Sequence, residues 1–378
     1  MKSVFIIPAR SGSKGIPNKN LKLINGIPMF VWSIIHASFI ANNEDYIIVS
    51  SESDHYLEIA KRWGATPVKR PLELAKDTTL TEPVMTDAIS NINLDFDDNI
   101  VLLQPTSPLR SKELMIRLKK KLNTSLSAVS LTESYEFNWI RTDENLVKPL
   151  YKDRPRRQDM IPKLSENGSI YFTKYKLYKN QQNRVHKKAD PLILNIYESI
   201  EIDNIEELKI VNSISKTFNK EWLKEVFNGI KIKNVFLDID GVFAKNIKSS
   251  SSNDRFYSTQ DSNTIRKIIR NDINVVLISS EKNTHSNELF NKVGLKKVYF
   301  GVENKLEFIK EYIKNNKLNK KESVFMGNDS QDIECLKYFD FSAVPDDANK
   351  SVKKYAKFII DKPGGNGAIT ELSNLIFN

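Results

Sequence analysis

Arg10, Lys14 and Lys19 stand among Ser11, Gly12, Ser13 and Gly15, just after an apolar run, Val4 to Ile7, that ends at Pro8. Small residues let backbone N–H groups come close to a phosphate, and cations neutralise it. The spacing is neither G-x-x-x-x-G-K-[ST] nor G-x-G-x-x-G. Read alone, the loop suits a phosphate site and a solvated turn equally. Asp238 and Asp240 carry a second chemistry. Two residues apart at the end of an apolar strand, they share a face. One carboxylate of such a pair can attack phosphorus while the other handles the proton, provided Mg²⁺ shields the charges. Glu201 and Asp203 form a third pair with the same spacing, and two convergent oxygen ligands beside a triphosphate suit Mg²⁺. Asp203 also reads as the N-cap of the next helix.

Such side chains need a scaffold that brings loops to one edge. Strand and helix patterns alternate through the first half. Strands are expected at Tyr46 to Ser50, Asn99 to Gln104 and Ser127 to Leu131, and helices over Pro28 to Ile40, His55 to Trp63, Thr81 to Ser90 and Glu113 to Leu122. This order predicts an α/β fold with a doubly wound, mostly parallel sheet, which binds ligands at the carboxyl ends of its strands. Pro105-Thr106-Ser107-Pro108 must break the Asn99 strand. Ser134 to Pro191 is irregular and reads as a functional segment or an interface arm. A strand-like Leu192 to Ile196 follows, then a helix from Ile205 to Ser213 and another ending near Phe227. Asn228-Gly229 is a natural stop. The domains are therefore set at 1–228 and 229–378. A second alternation begins at Asn234 and predicts a second Rossmann-like domain. Its expected helices include Asn263 to Arg270, Asn304 to Asn315 and Ser330 to Tyr338.

The totals narrow the classes. A chain of 378 residues suits two domains, and 40% hydrophobic with 28% charged residues is usual for a globular protein. The net charge of +10 comes from lysines scattered through helices, without a basic–aromatic nucleic-acid motif. One cysteine, Cys335, excludes an internal disulfide and a cysteine-cluster zinc site. The four histidines show no ligand spacing. No stretch approaches a membrane span or a signal peptide, so the expected location is the cytoplasm, with no membrane partner.

Whole strings say more than single residues. IIPARSGSKGIPNKNL resembles the nucleotide-binding signature of the acylneuraminate cytidylyltransferases, as do Arg70 to Thr78 (RPLELAKDT) and Leu102 to Arg110 (LLQPTSPLR). The resemblance implies transfer of CMP from CTP to a nine-carbon ulosonic acid, with Mg²⁺ and release of diphosphate. It implies that Arg10, Lys14 and Lys19, with the backbone of Ser11 to Gly15, hold the triphosphate. Asn20 would touch nucleotide or sugar, and Arg70 would read cytosine. Gln104, Thr106 and Ser107 would contact the sugar; by chemistry alone they form a turn. Arg157 and Gln158 resemble a pair near the sugar carboxylate, where a guanidinium binds bidentately. The family usually has two aspartates where Glu201 and Asp203 stand.

After residue 230, FLDIDGVFAKN is joined by Ser279, Lys305, Gly327-Asn328-Asp329 and Asp332 in the order of the haloacid dehalogenase superfamily. The closest resemblance is to phosphatases of 8- and 9-phosphorylated ulosonic acids. It implies Asp238 as nucleophile, Asp240 as general acid/base, Ser279 and Lys305 on the phosphoryl group, and Asn328 with the two aspartates on Mg²⁺. In the phosphatases resembled, the position two residues after Ser279 is usually arginine in those acting on KDO 8-phosphate and glutamate in those acting on nine-carbon 9-phosphates, so Glu281 implies a nine-carbon 9-phosphate; a carboxylate there can accept hydrogen bonds from sugar hydroxyls. Alternatives are a second domain serving assembly alone, or a CMP-KDO synthetase with KDO 8-phosphate phosphatase. Capless phosphatases of this kind form tetramers, so a homo-oligomer, tetramer or dimer, is expected, with Lys245 to Asp254 as a flap.

Overall fold

The computed structural model describes every residue except 144, 228, 246–254, 283–286 and 378. The chain forms two compact units. The first takes Met1–Lys22, Met29–Ala60 and Gly64–Asn219; the second takes Leu23–Pro28, Lys61–Trp63 and Lys220–Asn378.

Seven strands build the sheet of the first unit: β1 (Ser3–Pro8), β2 (Tyr46–Ser51), β3 (Thr66–Lys69), β4 (Asn99–Leu103), β5 (Ser127–Ser134), β6 (Lys163–Lys174) and β7 (Asp190–Leu194). Their order is β7-β5-β6-β4-β1-β2-β3. The apolar runs of β1 and β4 are buried along almost their whole length, as central parallel strands require. Around them β1–β2, β1–β4, β2–β3 and β5–β7 pair in parallel, while β6 runs antiparallel between β4 and β5. The helix Lys112–Thr124 starts where the Ser111 hydroxyl accepts the Leu114 N–H at 3.0 Å, and buries Leu114, Met115, Leu118 and Leu122 on one stripe.

The segment expected to be irregular contains β6 and a small hairpin, Trp139–Arg141 with Val147–Pro149. In KLSENGSIYFTK the first half is polar and Asn-Gly is a turn signal, which hides the strand. Gly168 accommodates the interruption at φ +73°, where pairing with β5 shifts register between Glu166 and Tyr171. β7 begins two residues before the expected strand, at a position that includes Pro191. It lies at the sheet edge, where a missing N–H is tolerated.

The second unit has six strands, β8 (Asn234–Asp238), β9 (Asn274–Ile278), β10 (Val298–Tyr299), β11 (Ser323–Met326), β12 (Phe341–Pro345) and β13 (Phe358–Ile360), all parallel, in the order β10-β9-β8-β11-β12-β13. Phe236, Val276, Phe325 and Phe339 pack its core, with Cys335 buried among them. β8 is central, so Asp238 emerges at the middle of the carboxyl edge. No helix among the described residues is long and apolar enough to cross a membrane.

Candidate functional sites

The loops after β1 and β4 and the segment after β3 enclose a cleft of about 240 Å³ in the first unit. Arg10, Ser13, Lys19, Asn20, Arg70, Gln104 and Thr106 line it. Arg70 is sunk in the wall, its side chain only 3% exposed. Its Nη1 donates to Leu74 O at 3.4 Å, while Nε and Nη2 make no hydrogen bond among the described residues. Asn20 donates through Nδ2 to Arg10 O at 3.0 Å and leaves a buried Oδ1 unmatched; the Ser107 hydroxyl is buried and unmatched too. A buried polar atom without a partner costs about 1–3 kcal/mol, so a cleft lined by such atoms suits a polar ligand that satisfies them.

Carboxylates set the cations in place. Glu52 accepts from Ser11 N at 2.7 Å and Ser11 Oγ at 2.6 Å, and its other oxygen lies 3.7 Å from Arg70 Nε. Burial would raise its carboxyl, but the Ser11 donors outweigh that and hold it below the usual range. Asp77 pairs with Arg10 and with Lys14. Lys19 pairs with Asp203 at 3.0 Å. A Cβ on Gly15 would lie 2.7 Å from Asp203 O, so glycine lets the loop close onto the acidic pair.

The acidic pair is held in turn. Thr106 donates to Glu201 Oε1 at 2.9 Å, and Ile202 N donates to Thr106 O. Burial, with the like charge of Asp203, raises the Glu201 carboxyl. Such a pair is relieved by a cation, and hard oxygen ligands fit Mg²⁺. Glu207 closes a capping box with Asn204 and also accepts Asp203 N at 2.6 Å; Glu201 and Asp203 lie on an irregular segment before that helix rather than on a strand, and Asn204, not Asp203, is the N-cap. Below the cleft, the fully buried Arg110 donates to Gln104 O at 2.7 Å, Ser169 O at 2.8 Å and Ser33 Oγ at 3.1 Å, joining three segments. Burial lowers its guanidinium to about 9.

The second unit gathers a denser set of charges. Lys305 opens its helix, Lys305–Asn315, and reaches Asp238 Oδ1 at 2.7 Å and Asp332 Oδ1 at 2.8 Å, all three groups buried. Asp332 Oδ2 accepts the backbone N–H of Asn328 at 2.9 Å and of Asp329 at 3.2 Å. Burial and the Asp332 charge push the Asp238 carboxyl up, while Lys305 pulls it back; burial lowers Lys305, and the two carboxylates more than reverse this. The Asn328 amide faces Asp238 Oδ2 and Asp240 O. Turned one way, its nitrogen donates to them at 3.0 and 2.8 Å. Turned the other way, three oxygens face one another, a donor set that fits a hard divalent cation. Gly241, at φ +83°, leaves the room Asn328 needs, since a Cβ there would lie 1.9 Å from the Asn328 amide nitrogen. Ser279 Oγ donates to Asp240 Oδ2 at 3.3 Å and accepts from Glu281 N at 3.1 Å. Among the described residues no three His, Cys, Asp or Glu side chains cluster as a metal group.

The model of the cytidylyltransferase family matches residues 4–239, more than half of the chain and all of the cleft. The chain belongs to this family. An N-acylneuraminate cytidylyltransferase of Oncorhynchus mykiss is 29% identical over 98% of this chain and 87% of its own length. The CMP-N,N'-diacetyllegionaminic acid synthase of Legionella pneumophila is 35% identical over 54% of this chain and 91% of its own. The model of haloacid dehalogenase-like hydrolases matches residues 301–372, which include Lys305, Asn328 and Asp332. Among solved structures, 3-deoxy-D-manno-octulosonate 8-phosphate phosphatase from Moraxella catarrhalis is similar with a TM-score of 0.38, at 20% identity, over 40% of this chain and 90% of that one.

Of the residues singled out in the cytidylyltransferase half, Arg10, Ser13, Lys19, Asn20, Arg70, Gln104 and Thr106 line the cleft, while Ser11, Gly12, Lys14, Gly15, Ser107, Glu201 and Asp203 do not. Arg157 and Gln158 do not line it; they lie exposed on a short turn, Arg157–Asp159, where Arg156 pairs with Asp159 at 2.6 Å. Residues 246–254 of the expected flap lie outside the described residues. Asp261 is buried and accepts from Gly367 N at 2.8 Å and Thr370 N at 2.9 Å, tying its helix to the C-terminal tail. Arg255 escaped the sequence reading. Its guanidinium pairs with both Asp240 and Glu281, and its side chain is 5% exposed. The only signal for it was a cation just before Phe256-Tyr257, which is weak.

Proposed function

We propose that the chain transfers CMP from CTP to a nine-carbon ulosonic acid of the acylneuraminate type, and that its second unit hydrolyses the 9-phosphate of such an acid. The observation that carries the first part is the cleft itself. It gathers Arg10, Lys19 and the buried Arg70, whose Nε and Nη2 make no hydrogen bond among the described residues, beside the carboxyl ends of β1, β3 and β4. The names of the relatives support the substrate class.

In this reading Arg70 Nε and Nη2 donate to the cytosine, and Arg10, Lys14 and Lys19 neutralise the triphosphate. Gln104, Thr106 and Ser107 face the sugar. The sugar hydroxyl oxygen attacks the α-phosphorus and gives up its proton to solvent, the bond to the β-phosphate oxygen breaks, and diphosphate leaves. Glu201 and Asp203 would hold Mg²⁺, which supplies positive charge beside the triphosphate. Arg110 and Glu52 keep the loops in place, so little reorganisation is needed at the moment of reaction.

In the second unit Asp238 attacks the phosphorus and the sugar–oxygen bond to phosphorus breaks, while Asp240 gives its proton to the leaving oxygen. Water then releases phosphate from Asp238, with Asp240 taking the proton. Lys305 and Ser279 hold the phosphoryl oxygens. Asp238, Asp240 and Asn328 would hold Mg²⁺ there, which shields the charges as the oxygens meet. Homo-oligomerisation completes the reading. Trp139, Leu146, Val147, Leu150 and Ile161 are exposed apolar residues on the arm that also carries Arg157 and Gln158, and such a patch fits an interface. Purified chain given CTP, Mg²⁺ and a panel of nonulosonic acids should yield a CMP-sugar and diphosphate. No product with any nine-carbon acid would refute the first part; no phosphate from a nonulosonate 9-phosphate would refute the second.

A further inference from the structure

Asp77 lies on an exposed stretch between the turn Leu72–Ala75 and the helix Thr81–Ile89, and it lines the cleft. It has no part in the chemistry above. Yet its two oxygens take two of the three cations: Oδ1 meets Arg10 Nη1 at 2.7 Å and Oδ2 meets Lys14 Nζ at 2.8 Å. Two oxygens on one centre, each against its own cation, is also how a phosphate would engage the pair. The hydrogen bond and charge of Lys14, with Arg10 alongside, hold the Asp77 carboxyl below its usual range, so it is ionised at neutral pH.

The carboxylates around the cleft differ in how they are held. Glu52 is bound to the backbone and hydroxyl of Ser11, whereas the Asp203 carboxylate is 66% exposed and meets one cation, Lys19; Asp77 alone of these holds two. The Asp77 side chain is 36% exposed, Arg10 34% and Lys14 86%. Ion pairs at this exposure are weak and easily exchanged. A triphosphate brings more charge on more oxygens, and it competes with Asp77 for Arg10 Nη1 and Lys14 Nζ.

We propose that Asp77 is an internal counter-ion for the outer phosphates: it holds Arg10 and Lys14, yields them to the β- and γ-phosphates of the nucleotide, and takes them back as diphosphate leaves. This rests on the triphosphate reading of the loop. Asp77 is thus a positioning residue that trades affinity for product release and makes the cleft favour ligands charged enough to displace it. A ligand with only an α-phosphate has no such exchange to make.

The test is calorimetric titration of the full chain with inorganic tripolyphosphate, diphosphate and CMP, together with steady-state transfer. Asp77→Asn should bind tripolyphosphate and diphosphate about 2–5-fold tighter, the scale of a lost surface ion pair. CMP binding should not change. In transfer, KM for CTP and the inhibition constant of diphosphate should both fall while kcat does not rise. Asp77→Glu, which keeps the charge, should stay near the wild type. Unchanged or weaker polyphosphate binding by Asp77→Asn overturns the exchange, and so does equal tightening toward CMP, which would mark a general field effect. If the wild type binds neither tripolyphosphate nor CTP, the phosphate reading of the loop falls as well, and the two failures are thereby told apart.

Discussion

Near the cleft of the first unit Arg10 and Lys14 stand at the edge of solvent, 34% and 86% exposed, both against Asp77 on a neighbouring segment. In the second unit Lys305 is 4% exposed and locked between Asp238 and Asp332, themselves 7% and 1% exposed. Both arrangements keep phosphate-binding charge among carboxylates, yet they distribute the cost differently. Exposed pairs contribute about 0–1 kcal/mol each and are replaceable by ligand. A buried charge triad is worth little net, but removing one member leaves the others uncompensated. The first site should therefore respond to mutation mainly in rate and binding, and the second in stability as well as rate.

The largest expected effect tests whether the two centres are independent. Asp238→Asn should reduce phosphate release to background and spare CMP-sugar formation, since the nucleophile belongs to one centre alone. Glu201→Ala combined with Asp203→Ala should do the reverse. Either variant silencing both activities in folded protein would mean that the division into two sites is false.

Lys305→Met sharpens the contrast in burial. It strands Asp238 and Asp332 without a cation, and should destabilise the second unit by about 3–5 kcal/mol in denaturant unfolding. Arg10→Ala, which breaks only a surface pair, should leave the unfolding midpoint nearly unchanged. Equal stability losses would erase the distinction. Arg10→Ala or Lys19→Ala should instead slow CMP-sugar formation on the order of a hundredfold, because each removes charge from the triphosphate site. Turnover close to wild type in both variants would take the loop out of the mechanism.

The smallest effect concerns specificity. Phosphate release should favour a nonulosonate 9-phosphate over KDO 8-phosphate, and Glu281→Ala should erode that preference by roughly tenfold, the worth of about one hydrogen bond to a sugar hydroxyl. Parallel assays of both esters would read it. Reversed specificity in the wild type would remove Glu281 from substrate choice, and its pairing with Arg255 would then be its whole role.

What could be read in the sequence was what lies in one contiguous string. The loop from Pro8 to Asn20, the Gln104 to Arg110 turn and the Asp238–Asp240 pair each occupy a single strand end, so their chemistry and position are written together. Long-range partners were not readable. Ser11 and Glu52 are 41 residues apart, Arg110 and Ser169 are 59 apart, and Lys305 and Asp238 are 67 apart. The spacing-based strands were right where apolar runs were unbroken, as in β1, β4 and β8. β6 escaped because half of it is polar and an Asn-Gly turn signal lies inside it. β12 and β13 escaped for lack of any chemical motif to draw attention to them. Arg255 is a different case: a single cation next to residues with no pattern of their own acquires meaning only from the two carboxylates it meets.

The contact of Gly15 with the carbonyl of Asp203 has a consequence for the chain during its synthesis. The loop with the cations leaves the ribosome early, but the acidic pair that completes it is made 188 residues later, roughly 10–40 s at ordinary elongation rates. Over that interval the nascent chain carries a basic loop that cannot yet contain the acidic end of its own cleft. Assembly of the first site is thus a late event, timed by translation to the arrival of the Glu201–Asp203 segment, and a ribosome stalled before that point displays a half-built site whatever the rest of the sheet has done.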